Sequence, residues 1–236
     1  IDIVAELTGH DSLDKYNRPH WMAWAGLQYL LFGSGPVTSN VVEGGAFWYA
    51  DRSAPMPDLQ FHFLAGAGAE AGVPSVPKGS SGVTLNSYTL RPKARGSVRL
   101  RSGTAADQPL VDPNFLGDPD DLRVSVEGVK ISREIFAQPS LSKILRAVHF
   151  PDASVQSQAD YEAYARRYGR TSYHPTCTCK MGSDEMAVVD PQLRVRGVAG
   201  LRICDSSVMP SLVGSNTNAA TIMIAEKAAD MIRGNR

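Results

Sequence analysis

The stretch NRPHWMAWAGLQYLLFGSGP is apolar along most of its length and is framed by helix punctuation. Asn17 suits a cap, Pro19 the first turn and Gly33 a left-handed ending, so the segment predicts a helix. Strand-like runs follow in GGAFWYA and, after the turn signal PMPD, in DLQFHFLAG. Residues 65–82, rich in Gly, Ala, Ser and Pro, read as a long loop or lid. VTLNSYTL and GSVRLR predict a strand pair. In GDPDDLRVSVEGVKISREIFAQP a second helix opens at Asp118 and Pro119, with Asp120 and Asp121 where the helix dipole favours negative charge. ADYEAYARRYG predicts a shorter helix, and LRVRGVAGLRICDSSVMP two short β-like runs around a Gly-rich turn. The last helix, from about Ala219 to Arg233, has only Glu226, Lys227 and Asp230 as a polar stripe, the pattern of a helix buried nearly all round. Strands and helices alternate irregularly, which predicts an α+β fold with a mixed or antiparallel sheet and flanking helices.

Composition narrows the class. With 236 residues, 43% of them hydrophobic, the chain can bury one large core or two small ones. Its 24 basic and 24 acidic side chains cancel, so no global field draws it to nucleic acid or to an anionic membrane, and neither is expected as a partner. No apolar run approaches the ~20 residues of a membrane-spanning helix. The opening IDIVAELTGHD lacks the basic and apolar regions of a signal peptide. Three cysteines, an odd count at low density, argue against a disulfide scaffold and for a reducing, cytoplasmic setting. There is no GxGxxG after a strand and no P-loop, so the chain carries no glycine-rich phosphate cradle of its own.

Three stretches could carry chemistry. TSYHPTCTCKMG holds His174 beside Cys177 and Cys179. Zinc sites favour wider cysteine spacing with a second ligand pair elsewhere, and a redox pair favours Cys-x-x-Cys at a helix start. No metal is therefore expected, and the cysteines read as small packing residues. His174 is held extended by Pro175, which suits both a structural histidine and a catalytic one at a cavity wall. SLVGSNTNAATIMIAEKAADMI runs Ser215, Asn216, Thr217 and Asn218 into the last helix. These residues can simply cap it, yet a helix mouth with free N–H groups also attracts negative charge. In ICDSSVMP, Asp205 can cap a turn or accept hydrogen bonds from a polyol chain. The alternating basic residues Arg91, Lys93, Arg95, Arg99 and Arg101 in LRPKARGSVRLR read as the solvated face of a strand.

Taken in order, HPTCTCKMG, VVDPQLRVRGVAGLRICDSSVMP and NTNAATIMIAEKAADMI resemble the C-terminal signature of the glucose-methanol-choline (GMC) flavoprotein oxidoreductases. GSGPVTSNVVEGGAF, PDLQFHF, TLRPKARGSVRLRS and VDPNFLGDPDDLRVSVEGVKISREI resemble that family's substrate-domain blocks. The resemblance implies an FAD-dependent oxidation of CH–OH groups, with hydride passing to flavin N5. It implies His174 as the base for the substrate hydroxyl and Asn218 as its partner, a position that is His or Asn in the family. It implies Asp205, Ser206, Thr217, Asn218, Ala219 and Thr221 as cofactor contacts, and Tyr173, Glu43 and His62 as lining of the substrate cavity. Residues 1–170 then form a substrate-binding domain, while 171–236 carry the active-site motifs and pack on an FAD domain of Rossmann type.

Two departures accompany the resemblance. Cys177 stands where most family members have glycine, and the family's GxGxxG half precedes everything in this sequence. The chain thus matches roughly the second half of an enzyme, with the N-terminal FAD-binding half as its expected partner and homo-oligomerisation left open. The competing expectation is a non-catalytic module that binds or assembles and keeps the motifs idle. These motifs are common to enzymes of different alcohols and to oxidases and dehydrogenases alike.

Overall fold

Six consecutive buried positions, Asp2–Leu7, form strand β1. DIVAEL does not alternate and so gives no strand signal in the sequence: a strand covered on both faces has no polar side to show. The computed structural model describes residues 1–9, 12–67 and 75–234. In chain order come α1 (Pro19–Phe32), β2 (Val42–Trp48), β3 (Leu59–Leu64), β4 (Gly82–Thr89), β5 (Ser97–Arg99) and β6 (Leu110–Asp112). They are followed by α2 (Pro119–Ala137), α3 (Pro139–Ser142), β7 (Leu145–Phe150), α4 (Gln158–Tyr168) and α5 (Thr217–Arg233). Two compact units result, one of residues 1–89 and 119–170, the other of 90–118 and 171–236. A substrate domain running unbroken from 1 to 170 is the expectation from sequence; in the structure, residues 90–118 group with the C-terminal unit instead.

In the first unit five strands lie in the order β2-β3-β4-β1-β7, every pair antiparallel. This is the antiparallel form of the expected α+β sheet. Helix α2 packs on β4 and β1 and against α4, burying Leu122, Val126, Val129 and Phe136. The helix lies close to β4 at Gly128, where an added Cβ would lie 2.8 Å from Ser87 Oγ and 2.9 Å from Ser87 Cβ. Real Cβ atoms do not sit so close, so Gly128→Val must push α2 off the sheet. The gain in helix propensity over glycine is under ~1 kcal/mol, whereas overpacking costs ~1–3 kcal/mol. Net destabilisation of about 2 kcal/mol is expected in urea unfolding, and an unchanged midpoint would refute it.

The inner strand β1 carries two buried acids, and each is paired. Glu6 meets Ser80 Oγ at 2.8 Å, His149 Nε2 at 2.9 Å and Arg146 at 3.2 Å. The His149 hydrogen bond, followed by that of Ser80, holds its carboxyl below the usual carboxylate range. Asp2 accepts from the Asn86 amide and from Arg170. The Tyr164 hydroxyl donates to the Asp2 carbonyl at 2.7 Å, and burial pushes that phenol well above its ordinary pKa.

Several expectations change in detail. Asn17 ends a short 3-10 turn, and the residue preceding α1 is Arg18, although Pro19 and a left-handed Gly33 at φ 60 bracket the helix as read. VTLNSYTL does not pair with GSVRLR: β4 lies between β1 and β3, and the short β5 pairs with β6. The basic alternation is therefore not one long strand, and Arg95 folds back onto the carbonyls of Pro92, Lys93 and Ala94. ADYEAYARRYG becomes α4, opened by a capping box of Ser157 and Asp160. The lid expected over 65–82 falls partly outside the described residues. No helix among the described residues is long and apolar enough to cross a membrane.

The second unit has its own small core of Val189, Leu193, Val208, Met209, Ile224 and Ala228. Only one face of α5 meets it, and Ile222, Met223 and Ile232 are exposed, so the expectation of a helix buried all round is not met. The two β-like runs are present as isolated bridges, with Val195 N donating to Leu201 O and Ile203 N to Leu193 O. Gly197 and Gly200, at φ 78 and 77, make the turn between them, where a side chain would be strained.

Candidate active site

The run around His174 has no regular secondary structure and is held by neighbours rather than by a sheet. Cys177 N, Cys179 N and Met181 N donate to the carbonyls of Ser206, Ser207 and Val208 at 3.4, 2.9 and 2.8 Å. Two residues of this run have left-handed backbone although neither is glycine: Tyr173 at φ 63 and Cys177 at φ 71. They flank His174, Pro175 and Thr176. Such conformations cost free energy and persist where surrounding bonds determine them.

The other half of the site is the start of α5. Asn216 precedes the helix without a side-chain cap bond, and the first turn holds no acidic residue. The first-turn N–H groups and the positive dipole end thus face outward at exposed Asn218 and Ala219. Thr217, only 8% exposed, has its Oγ1 3.1 Å from His174 Nδ1. That contact ties the histidine loop to the helix mouth, with Asn218 the next residue along. Thr221 Oγ1 donates to the Thr217 carbonyl at 2.9 Å, one turn further in.

Asp205 lies where the β-like run ends. Its carboxylate caps the short 3-10 turn Ser206–Val208, accepting from Ser207 N at 2.8 Å and from the Ser207 hydroxyl. Ser206 Oγ reaches the Pro175 carbonyl at 3.4 Å, so the Asp205 turn and the His174 loop are neighbours. Arg91, read from sequence as part of a solvated strand face, lies instead over the loop entering α5. A Cβ on Gly214 would come within 2.4 Å of its guanidinium. Nothing local in TLRPKARG signals that packing; it depends on a chain separation of more than a hundred residues.

Glu43 and His62 belong to the first unit. Glu43 is the extra residue of a β-bulge, since Val42 pairs with Leu64 and Gly44 with Phe63. A bulge re-aims its side chain, and the Ser39 hydroxyl donates to the Glu43 carboxylate. His62 pairs across the sheet with Gly45, and its ring lies 4.9 Å from that of Tyr88. The three cysteines are half-buried free thiols, and Cys177 and Cys204 pack on the core of the second unit. Among the described residues no group of three or more His, Cys, Asp or Glu side chains could hold a metal.

The first unit is an antiparallel α+β fold and the second presents a histidine at a helix mouth; comparison with known proteins gives the family. The profile of the GMC oxidoreductase family matches residues 92–225, and the chain belongs to that family. It is 44% identical over 204 residues to alcohol dehydrogenase [acceptor] of Pseudomonas putida, covering 86% of this chain and 37% of that protein. It is 40% identical to human mitochondrial choline dehydrogenase, covering 94% of this chain and 38% of that one. The chain thus spans well under half the length of the curated relatives it matches. A solved formate oxidase from Aspergillus oryzae RIB40 shares the fold over 99% of this chain and 45% of its own, with a TM-score of 0.89 at 22% identity.

Cys177 offers a direct test of the strained turn. Glycine relieves a left-handed penalty of ~1–2 kcal/mol but loses thiol packing and adds unfolded-state entropy of ~0.4–1 kcal/mol. Cys177→Gly should therefore stay within about 1 kcal/mol of the parent, whereas β-branched Cys177→Val at φ 71 should cost about 2 kcal/mol. Thermal melts in which the valine variant outlasts the glycine variant would overturn this account.

Proposed function

We propose that this chain is the substrate-handling portion of an FAD-dependent oxidoreductase acting on CH–OH groups of alcohols, working with an N-terminal FAD-binding half in a cytoplasmic setting. The observation that carries the reading is the pairing of an exposed imidazole with the mouth of α5 through Thr217. Its support in the comparisons is family membership, together with relatives whose names denote alcohol and choline dehydrogenases. FAD, when bound, supplies the hydride acceptor. The residues present fit such a group: the uncapped helix start offers N–H donors, and small Ala219 and Ala220 let a flat ring system approach.

In this reading His174 accepts the proton of the substrate hydroxyl, and the Asn218 amide hydrogen-bonds the same oxygen and orients it. The dipole end of α5, with Ala219 and Thr221 in its first turns, would hold the flavin ring system and favour negative charge beside it. Asp205 and Ser206 hold the polyol and phosphate region. Family resemblance assigns substrate contacts to Tyr173 in the second unit and to Glu43 and His62 in the first, which forms most of the substrate domain. The test is anaerobic mixing of the FAD-loaded enzyme with a straight-chain, an aromatic and a quaternary-ammonium alcohol, followed by visible absorbance. Bleaching by at least one is expected; a flavin untouched by all three would refute the assignment.

A further inference from the structure

Thr217 is the first residue of α5, and its buried hydroxyl contacts the Nδ1 edge of His174. A neutral imidazole has one N–H and one nitrogen able to take a proton, and the partner of one nitrogen decides the role of the other. At 3.1 Å, Thr217 Oγ1 occupies Nδ1, so an alcohol approaching the exposed ring meets Nε2. Nε2 can accept a proton only when Nδ1 carries the hydrogen. In the competing tautomer the threonine hydroxyl would donate to Nδ1, and Nε2–H would confront the alcohol as a second donor.

We propose that Thr217 is the positioning residue that holds His174 in its Nδ1–H tautomer, its hydroxyl oxygen accepting from Nδ1–H and leaving the Nε2 lone pair to the substrate. The inference rests on the reading of His174 as the base. In the proton step the alcohol O–H bond breaks, the proton bonds to Nε2, and the electron pair stays on oxygen as the alkoxide. The ring becomes an imidazolium whose Nδ1–H remains on Thr217. The threonine suits this role because β-branching leaves its side chain few rotamers. Its backbone is fixed as well, at the head of a 17-residue helix with its carbonyl bonded by Thr221. On the other side, Pro175 and the left-handed Tyr173 restrict the histidine.

Thr217→Val preserves the shape of the side chain and removes the oxygen, whereas Thr217→Ser retains it. In the FAD-loaded enzyme Thr217→Val is expected to lower the limiting rate of anaerobic flavin reduction about tenfold, with FAD content and KM near the parent, and Thr217→Ser to recover most of the loss. A readout independent of turnover is the ¹⁵N spectrum of histidine-labelled protein at alkaline pH, with His174→Ala supplying the assignment among five histidines. The parent should show His174 protonated on Nδ1, and Thr217→Val should move it towards the Nε2–H form. An Nε2–H ring in the parent, or an undiminished rate in Thr217→Val, would overturn the proposal while a slow His174→Ala left the base assignment standing. A His174→Ala enzyme reduced at parental speed would instead remove the base role itself.

Discussion

In the FAD-loaded enzyme, His174→Ala is expected to lower the rate of flavin reduction by alcohol about 10²- to 10⁴-fold while leaving FAD content nearly unchanged. The magnitude is that of general base catalysis by a positioned side chain. The separation of the two effects follows from the structure. His174 is exposed and its ring bonds to Thr217, whereas the core of this unit is built from Val189, Leu193, Val208, Met209, Ile224 and Ala228. Removing the imidazole therefore opens no core cavity, and the backbone rungs at Cys177, Cys179 and Met181 still hold the loop. Stopped-flow reduction under anaerobic conditions gives the rate, and released-flavin absorbance gives the occupancy. Loss of FAD in proportion to loss of rate would mean that His174 is a binding residue and not the base.

The 236-residue chain expressed by itself is expected to bind FAD more weakly than micromolar and to leave alcohols unchanged. Its flavin contacts in the proposed site reduce to the α5 mouth, small residues behind it and Asp205, whose carboxylate already accepts two bonds from Ser207. A helix end contributes ~0.3–2 kcal/mol, while nanomolar affinity needs about 12 kcal/mol. The sequence holds no glycine-rich phosphate turn to supply the difference. Large apolar side chains also stand exposed, among them Leu30 at 81%, Phe32 at 73% and Ile232 at 65%, so the chain alone should associate in solution. Fluorescence titration with FAD and light scattering test both parts. Submicromolar binding with alcohol-driven bleaching would sink the expectation.

The parts that sequence could determine are those set by neighbouring residues. Proline and glycine place α1 between Pro19 and Gly33, acidic residues mark the start of α2, and paired glycines turn the run between Val195 and Leu201, because each acts within a few bonds of its own backbone. The motif order around His174, Asp205 and Asn218 was likewise legible, and with it the GMC family. What only the tertiary structure decided depends on chain segments far apart. DIVAEL becomes the inner strand β1 because β4 and β7 cover both its edges, and no alternation reveals that in advance. GSVRLR joins residues 110–112 instead of its sequence neighbour, since β4 has already spent its edges on β1 and β3. The last helix reads as apolar all round, yet within this chain it buries a single face. Thr217 read as a cap or a cofactor contact; its hydroxyl meets His174 only because folding closes a separation of forty-three residues, and hydrogen bonds across such distances leave no period in the sequence.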